Sequence, residues 1–247
     1  MNRFTAGIFE PEWSGEKGTL KWLYMKLKDK KDLTIFDCGG NIGIYSKLVL
    51  EIFGRSNNAL RLHIFEPSHQ CAEGLIKDFG KLENVWVHQV AVSDESGGAE
   101  LFYPWKGAGG ASLSRDVSEA QGTGSSKIQS ERIQRVTLDA FCRENKIDRI
   151  DFLKLDIEGY ELAALKGGNE LLKLGKIDYI QVEIGQASLA TKCMLFDIWE
   201  MLNGSYHFYL ILNRGMVALH YRPDLECFQG ASNFLLELKE KPSAANS

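Results

Sequence analysis

The sequence predicts an α/β fold in which helices cover both faces of a mostly parallel sheet. An apolar run at residues 33–36 ends in a glycine-rich turn, and apolar residues at helical spacing follow at once. A second apolar run at residues 62–65 ends in an acid and a proline. Strand, turn and helix in this order are typical of sheets that bind ligands at the carboxyl ends of their strands.

The first strand is predicted at residues 33–37 and the helix after it at residues 42–53. The turn between them reads D-x-G-x-N-x-G and comprises Asp37, Gly39, Gly40, Asn41 and Gly43. A dinucleotide site would use G-x-G-x-x-G, whose bare helix N–H groups hold a pyrophosphate. The carboxylate of Asp37 would repel a pyrophosphate, but it would suit the ammonium group of an amino-acid moiety. S-adenosylmethionine has such a group and carries no phosphate.

The second strand is predicted at residues 60–65, and Glu66 stands at its tip. An acid at this point is placed to accept both ribose hydroxyls of an adenosine. A glycine turn alone is often only structural, and so is an acid after a strand, whereas the ordered pair favours an adenosine cofactor. The other predicted cofactor-binding residues are Ser46, Pro67, Val90 and Ala91.

The remaining pattern completes the alternation of strands and helices. Further helices are predicted at residues 18–27, 71–79, 137–145, 159–174 (interrupted at Gly167 and Gly168) and 187–203. Further strands are predicted at residues 85–92, 99–103, 133–136, 150–156, 179–184, 207–212, 216–220 and 234–238. Residues 106–130 are rich in Gly and Ser and almost without periodicity, so we expect a flexible lid there. The predicted organisation is a helical extension (1–32), a cofactor domain (33–240) and a disordered tail (241–247).

Composition excludes several classes of protein. The 247 residues are 44% hydrophobic, enough to bury the core of one domain. A net charge of −4 argues against non-specific nucleic-acid binding, and no apolar run is long enough for a membrane span. The N-terminus lacks the pattern of a signal peptide. The five cysteines form no C-x-x-C pair, so we expect reduced thiols in a cytoplasmic protein, neither disulfides nor zinc ligands.

Charged residues interrupt two strands that should be buried on both faces. Lys154 and Asp156 point to the same side of one strand, and Glu183 interrupts the next. In the strand order 3-2-1-4-5 these side chains would meet Asp37 at the carboxyl edge. One reading is a structural ion-pair network.

The other reading is catalytic. A carboxylate crowded by like charges has a raised proton affinity and can accept the proton of a reacting hydroxyl. We therefore predict Asp156 as the base, assisted by Lys154, with Glu158 and Glu183 as the next candidates. A magnesium ion between Asp156 and Glu183 is possible but not expected, because no dedicated loop of ligands is present.

Three stretches carry a resemblance to a known family: FDCGGNIGIYS at residues 36–46, VTLDAF at 136–141 and IDFLKLDIEGYELAALKGG at 150–168. They are similar to the FkbM family of S-adenosylmethionine-dependent methyltransferases. In the third stretch the motif K-x-D-x-E-G-x-E falls on Lys154, Asp156, Glu158, Gly159 and Glu161. The resemblance implies a Rossmann-like class I methyltransferase fold with seven strands, and O-methylation of a sugar or natural-product hydroxyl. Position 40 is more often alanine in this family, and we expect Gly40 to be a harmless departure.

The function favoured by these observations is S-adenosylmethionine-dependent O-methylation of a small-molecule or glycan acceptor. Two alternatives remain: a cofactor-binding protein without catalysis, and a methyltransferase acting on a protein or a nucleic acid. The acidic charge and the absence of an aromatic clamp for a flipped base disfavour a nucleic-acid acceptor.

Overall fold

The computed structural model describes residues 14–54, 59–103, 111–121, 128–227 and 231–240. The helices are α1 (Glu16–Leu27), α2 (Ile44–Phe53), α3 (His69–Phe79), α4 (Arg115–Gln121), α5 (Leu138–Glu144), α6 (Glu161–Gly167), α7 (Asn169–Lys173), α8 (Gln186–Thr191) and α9 (Leu195–Leu202). The strands are β1 (Asp32–Cys38), β2 (Ala59–Phe65), β3 (Val85–His88), β4 (Ala91–Val92), β5 (Gly97–Tyr103), β6 (Gln129–Val136), β7 (Ile150–Leu155), β8 (Ile177–Ile184), β9 (Tyr206–Leu212), β10 (Gly215–Ala218) and β11 (Ser232–Leu238).

The large sheet has the order β10-β9-β11-β8-β7-β1-β2-β3. Its five strands from β8 to β3 are parallel, and β11, β9 and β10 continue it in antiparallel pairing. The predicted α/β class and the predicted core order are therefore confirmed. The strand count is corrected, because eight strands of the described chain join this sheet where seven were predicted; the short β10 hairpin supplies an additional edge.

Two predicted elements are broken in the structure. The strand predicted at 85–92 ends at His88, and Ala91–Val92 pairs instead with β6 in a separate three-stranded sheet. The helix predicted at 187–203 is divided into α8 and α9, because Lys192 adopts a left-handed conformation (φ 59°). Apolar spacing continues across both breaks, so the pattern alone does not reveal them.

The predicted lid contains ordered structure, which corrects the expectation of a segment without it. Ser112 forms an isolated antiparallel β-bridge with Phe102, and helix α4 begins three residues later in the chain. Val117 is 1% exposed, and the hydroxyl of the buried Ser118 donates to the carbonyl of Phe102. Two adjacent buried side chains in a short helix were too weak a pattern to predict it. Residues 104–110 and 122–127 lie outside the described chain, so the lid itself stays a prediction.

Helix α1 packs on one face of the sheet. Leu20, Leu23 and Leu27 are at most 2% exposed and share a hydrophobic cluster with residues of β1, β2 and α2. The predicted division of the chain at residue 33 stays a prediction, but α1 shares its core with the elements that follow. The predicted tail at 241–247 lies outside the described residues. Across the described ranges, every helix is too short or too polar to cross a membrane.

Candidate active site

The glycine turn after β1 is shaped by backbone conformations that favour glycine. Gly39 and Gly43 have φ values of 90° and 81°, and Asn41 has φ 45°. The N–H groups of Gly39 and Gly40 both donate to the carbonyl of Phe65 at the end of β2. A side chain at position 39 would overlap the backbone carbonyl oxygen of Asp156. The turn is therefore locked between β2 and the segment after β7.

Gly40 also has no room for a larger residue. A Cβ atom there would overlap the side chain of Ile64 and lie 3.1 Å from Leu75. Glycine at this position is thus matched to its neighbours in this chain, and the departure from the family pattern has a local packing reason.

Asp37 lies beneath the turn, where it is completely buried. Its Oδ2 accepts a 2.6 Å hydrogen bond from Ser46, while Oδ1 lies 3.9 Å from Lys154 Nζ and has no hydrogen-bond partner. Burial raises the pKa of Asp37, and the charge of Lys154 opposes that rise. The sequence suggested a direct contact between Asp37 and a cofactor ammonium. In the structure Asp37 binds Ser46 beneath the turn and faces Lys154, and its contact with a cofactor stays a prediction.

Glu66 lies at the tip of β2 with 6% of its surface exposed. Its two carboxylate oxygens accept hydrogen bonds of 2.8 Å from the N–H groups of Asn41 and Ser68. Burial raises the pKa of Glu66 to about 7. Each oxygen retains a second lone pair, so the carboxylate can also accept from two hydroxyls. The residues present therefore fit the ribose of an adenosine cofactor.

The other predicted cofactor-binding residues are close to this turn in the chain or follow β3. Ser46 is fully buried beneath the turn, bound to Asp37. Pro67 follows Glu66 and is half-buried. Val90 lies between β3 and β4 and is partly buried, and Ala91 is the first residue of β4 and 6% exposed.

Lys154 and Asp156 meet at the end of β7, as the sequence predicts. Lys154 is 2% exposed, and its Nζ donates to Asp156 Oδ2 at 2.8 Å and lies 4.6 Å from the centre of the Tyr45 ring. Burial opposes the charge on Lys154, but Asp156 and Asp37 raise its pKa above the ordinary value. The Asp156 side chain is 34% exposed, so one charged partner is buried and the other faces the surface.

Glu183, on β8, forms a hydrogen bond with Asp156. The negative charge of Asp156, together with burial, raises the pKa of Glu183 well above its usual range. Burial opposes the ionised form of Asp156, but Lys154 lowers its pKa overall. Crowding was expected to raise the pKa of Asp156; the structure corrects this, because the nearby ammonium stabilises Asp156 and leaves the raised pKa on Glu183.

Glu158 and Gly159 form a left-handed turn after Asp156, with φ values of 53° and 95°. The hydroxyl of Ser112 donates to the Glu158 carbonyl, and the hydroxyl of Thr191 donates to that of Gly159. The carboxylate of Glu161, a residue only 1% exposed, accepts hydrogen bonds from the N–H groups of Ile157 and Gly159. The acidic motif therefore includes a structural member, Glu161, which holds the turn. The charge of Glu158 contributes to the raised pKa of Glu183.

Four polar residues at this edge were not predicted as site residues: Tyr45, Gln181, Asn233 and Glu16. Gln181, on β8, has no exposed surface and contacts the other three. A glutamine between apolar neighbours on a core strand was a detectable signal, whereas the approach of Glu16 and Asn233 from distant segments was not.

The carboxylates of this edge gather around an ammonium group. Within the described ranges, no group of three or more His, Cys, Asp or Glu side chains is placed to hold a metal ion. Lys154 Nζ already lies within 4 Å of both Asp156 and Asp37, where it supplies a positive charge.

Comparison with known proteins relates this site to methyl transfer. Residues 37–209 match the methyltransferase FkbM domain family. The chain is 26% identical over 207 residues to the 2-O-methyltransferase NoeI of Sinorhizobium fredii (strain NBRC 101917 / NGR234), with 79% of this chain and 82% of NoeI covered. The crystal structure of the methyltransferase FkbM from Methylobacillus flagellatus KT superposes with a TM-score of 0.50 at 17% identity, covering 88% of this chain. The chain spans 47% of that protein, and this likeness concerns the fold alone.

Proposed function

The chain belongs to the FkbM methyltransferase family, and we propose that it transfers a methyl group from S-adenosylmethionine to a hydroxyl of a sugar, glycan or natural product. The observation that carries this proposal is Asp156, an ionised and one-third exposed carboxylate beside the glycine turn. Its neighbour Lys154 holds it in place and keeps it ionised.

Methylation of an alcohol requires a group that takes the hydroxyl proton. S-adenosylmethionine, when bound, supplies the methyl group on a positively charged sulfur. Asp156 orients the acceptor hydroxyl by accepting its hydrogen bond, and it receives the proton as the new C–O bond forms. The buried ammonium of Lys154 then remains to balance the charge of Asp37. The similarity to a 2-O-methyltransferase supports an oxygen acceptor.

Glu66 is the residue proposed to hold the cofactor ribose. It lies next to the turn that the sequence assigns to S-adenosylmethionine, and it already organises that turn through the Asn41 N–H. Its buried carboxylate would gain two hydroxyl donors on binding, and these would favour its ionised form.

Calorimetry on the purified protein tests the cofactor half of the proposal. We expect S-adenosylhomocysteine to bind and NAD not to bind. Glu66→Ala should weaken binding by about 2 kcal/mol, because two hydroxyls lose a charged acceptor. Glu144→Ala, at an exposed position of α5, is the matched control. Tight NAD binding without a response to S-adenosylhomocysteine would overturn the proposal.

A transfer assay tests the acceptor class. The protein is incubated with a donor that carries a tritiated methyl group and with saccharide, protein or RNA fractions. We expect label in a saccharide or small-molecule fraction, bound through an ether that resists mild base. Label found only in RNA or protein would show that the acceptor is not a saccharide or small molecule. The assignment of the methyl donor would be unaffected.

A further inference from the structure

Gln181 is a polar side chain with no exposed surface at the centre of the charged edge. Its Oε1 accepts from the Tyr45 hydroxyl at 3.1 Å. Its Nε2 donates to Glu16 at 2.9 Å and to Asn233 Oδ1 at 3.0 Å. All the hydrogen-bonding atoms of this buried amide therefore have partners, and the amide is held in one orientation.

Glu16 determines which way that amide points. A carboxylate only accepts hydrogen bonds, so the nitrogen of Gln181 must face Glu16 and its oxygen must face Tyr45. The other oxygen of Glu16 accepts from the Ser14 hydroxyl at 2.9 Å, which fixes the carboxylate from outside. The first turn of α1 thus sets the direction of a hydrogen-bond chain that continues to Asn233.

Asn233 transmits this direction to the catalytic edge. Because Gln181 donates to its oxygen, its nitrogen faces Glu183, with Nδ2 3.4 Å from Glu183 Oε1. A proton on Oε1 would point at the N–H hydrogen of Asn233, so Oε1 has to remain an acceptor. The other Glu183 oxygen is left to carry the proton, and Glu183 is hydrogen-bonded to Asp156.

We propose that Glu16, Gln181 and Asn233 are positioning residues that direct the Glu183 proton toward Asp156. This arrangement deepens the proposed function and rests on it for its catalytic consequence. A hydrogen bond from Glu183 would restrain the rotation of Asp156 and leave its remaining lone pairs for the acceptor hydroxyl. The charged groups that act on Glu183 are Asp156, Lys154 and Glu158.

Infrared spectroscopy of the protein without cofactor tests the proposal directly. Glu183→Gln identifies the band of the protonated Glu183 carboxyl group by removing it. Glu16→Gln lets the hydrogen-bond chain run in either direction, because an amide can donate or accept. Asn233→Leu removes the hydrogen bond between that chain and Glu183. In both variants we expect the single wild-type band to shift or split, since the Glu183 proton can then lie on either oxygen.

Lys21→Gln is the matched control, because it changes one charge on the exposed face of the same helix α1. The infrared band of the Glu183 carboxyl group in Lys21→Gln should coincide with that of the wild type. An unchanged band in both Glu16→Gln and Asn233→Leu would overturn the proposal. Thermal unfolding identifies any variant that fails to fold, and the near-isosteric Glu16→Gln then decides alone.

Turnover gives a second measurement. In the transfer assay, Asn233→Leu should lower kcat about tenfold and leave the KM for the methyl donor unchanged. A purely structural role would not separate kcat from KM in this way. Because the infrared measurement needs no cofactor, a failure of this proposal is distinguishable from a failure to bind S-adenosylhomocysteine.

Discussion

Asp156 and Glu183 are neighbouring carboxyl groups whose pKa values are displaced in opposite directions. Lys154 contacts Asp156 directly and lowers its pKa, whereas the charge of Asp156 raises the pKa of Glu183. Pairs of acids with pKa values pushed apart in this way are typical of acid–base sites. Asp156, whose pKa is lowered, is also the one that faces the surface, as the proposed proton acceptor must.

Replacing Asp156 by asparagine should separate catalysis from cofactor binding. Asparagine keeps the size of the side chain but cannot accept the proton, so we expect kcat to fall by roughly 10²- to 10⁴-fold. Binding of S-adenosylhomocysteine should stay near the wild-type value, because Glu66 is intact. Single-turnover kinetics and calorimetry measure the two effects. Normal turnover in this variant would move the base to Glu158 or Glu183.

The raised pKa of Glu66 implies that the folding stability of the protein depends on pH. Its pKa is about 7 in the folded protein and 4.5 ordinarily, so the folded state holds a proton that the unfolded state releases between these values. This contribution to stability is present below pH 4.5, decreases as the pH rises, and is lost above about pH 7.

Glu66→Gln removes this titration. The variant should gain stability relative to the wild type as the pH rises from 4.5 to 7, by at most about 3 kcal/mol. Loss of one of the two hydrogen bonds to the Asn41 and Ser68 N–H groups adds a penalty that does not depend on pH. Urea titrations across this range measure the change, with the exposed Glu83→Gln as control. A pH-independent difference would contradict the raised pKa.

At the scale of elements, the glycine turn and the segment after β7 are packed backbone against backbone. The N–H of Asp156 donates to the Cys38 carbonyl, and Gly39 lies against the Asp156 carbonyl. The glycine turn and the predicted base thus share one closely packed junction.

Gly39→Ala should disrupt this junction. The substitution combines a positive φ with an overlap that backbone atoms cannot relieve cheaply, so we expect a loss of several kcal/mol, about 3 or more. Gly215→Ala is the matched control, because φ is 133° there and no atom lies within 4 Å of the added methyl group. Thermal unfolding compares the two; equal losses would mean that backbone strain alone matters.

The sequence predicts the positions of most helices and strands. The prediction fails where the chain passes from one sheet to another, or bends, without an interruption in the apolar spacing. The start of the helix near residue 137 and the interruption at Gly168 were predicted correctly, because their signals are local. The separation of Ala91–Val92 from β3 was missed, because pairing with β6 depends on residues more than forty positions away. The turn at Lys192 was missed because lysine is not a usual residue for a left-handed position.

At the scale of the whole molecule, α1 closes one face of the sheet and brings Glu16 to Gln181 at the charged edge. Leu23 has no exposed surface and packs in the cluster around β1 and β2. Leu23→Ala should cost about 2 to 5 kcal/mol of folding stability. Met25→Ala, on the same helix but 60% exposed, should change it by less than about 0.5 kcal/mol. Similar effects of the two substitutions in urea unfolding would show that α1 does not share the core.

The same long-range assembly limits how much of the site a sequence can reveal. Lys154, Asp156 and Glu66 were found because strand order brings strand ends together at one edge. Asp37 was found, but its burial under the turn was not foreseen, since it depends on Ser46 and Lys154. Glu16 and Asn233 come from opposite ends of the chain, and only the folded arrangement places both on Gln181.

The overlap that excludes a side chain at position 39 has a genetic consequence. The obstructing atom is the main-chain oxygen of Asp156, which any amino acid at position 156 would also carry. No replacement at 156 can therefore act as a suppressor of Gly39→Ala. A selection for revertants should return glycine itself, or else changes that shift the end of β7 as a whole. The two positions are tied together in space, yet their substitutions have no reason to covary.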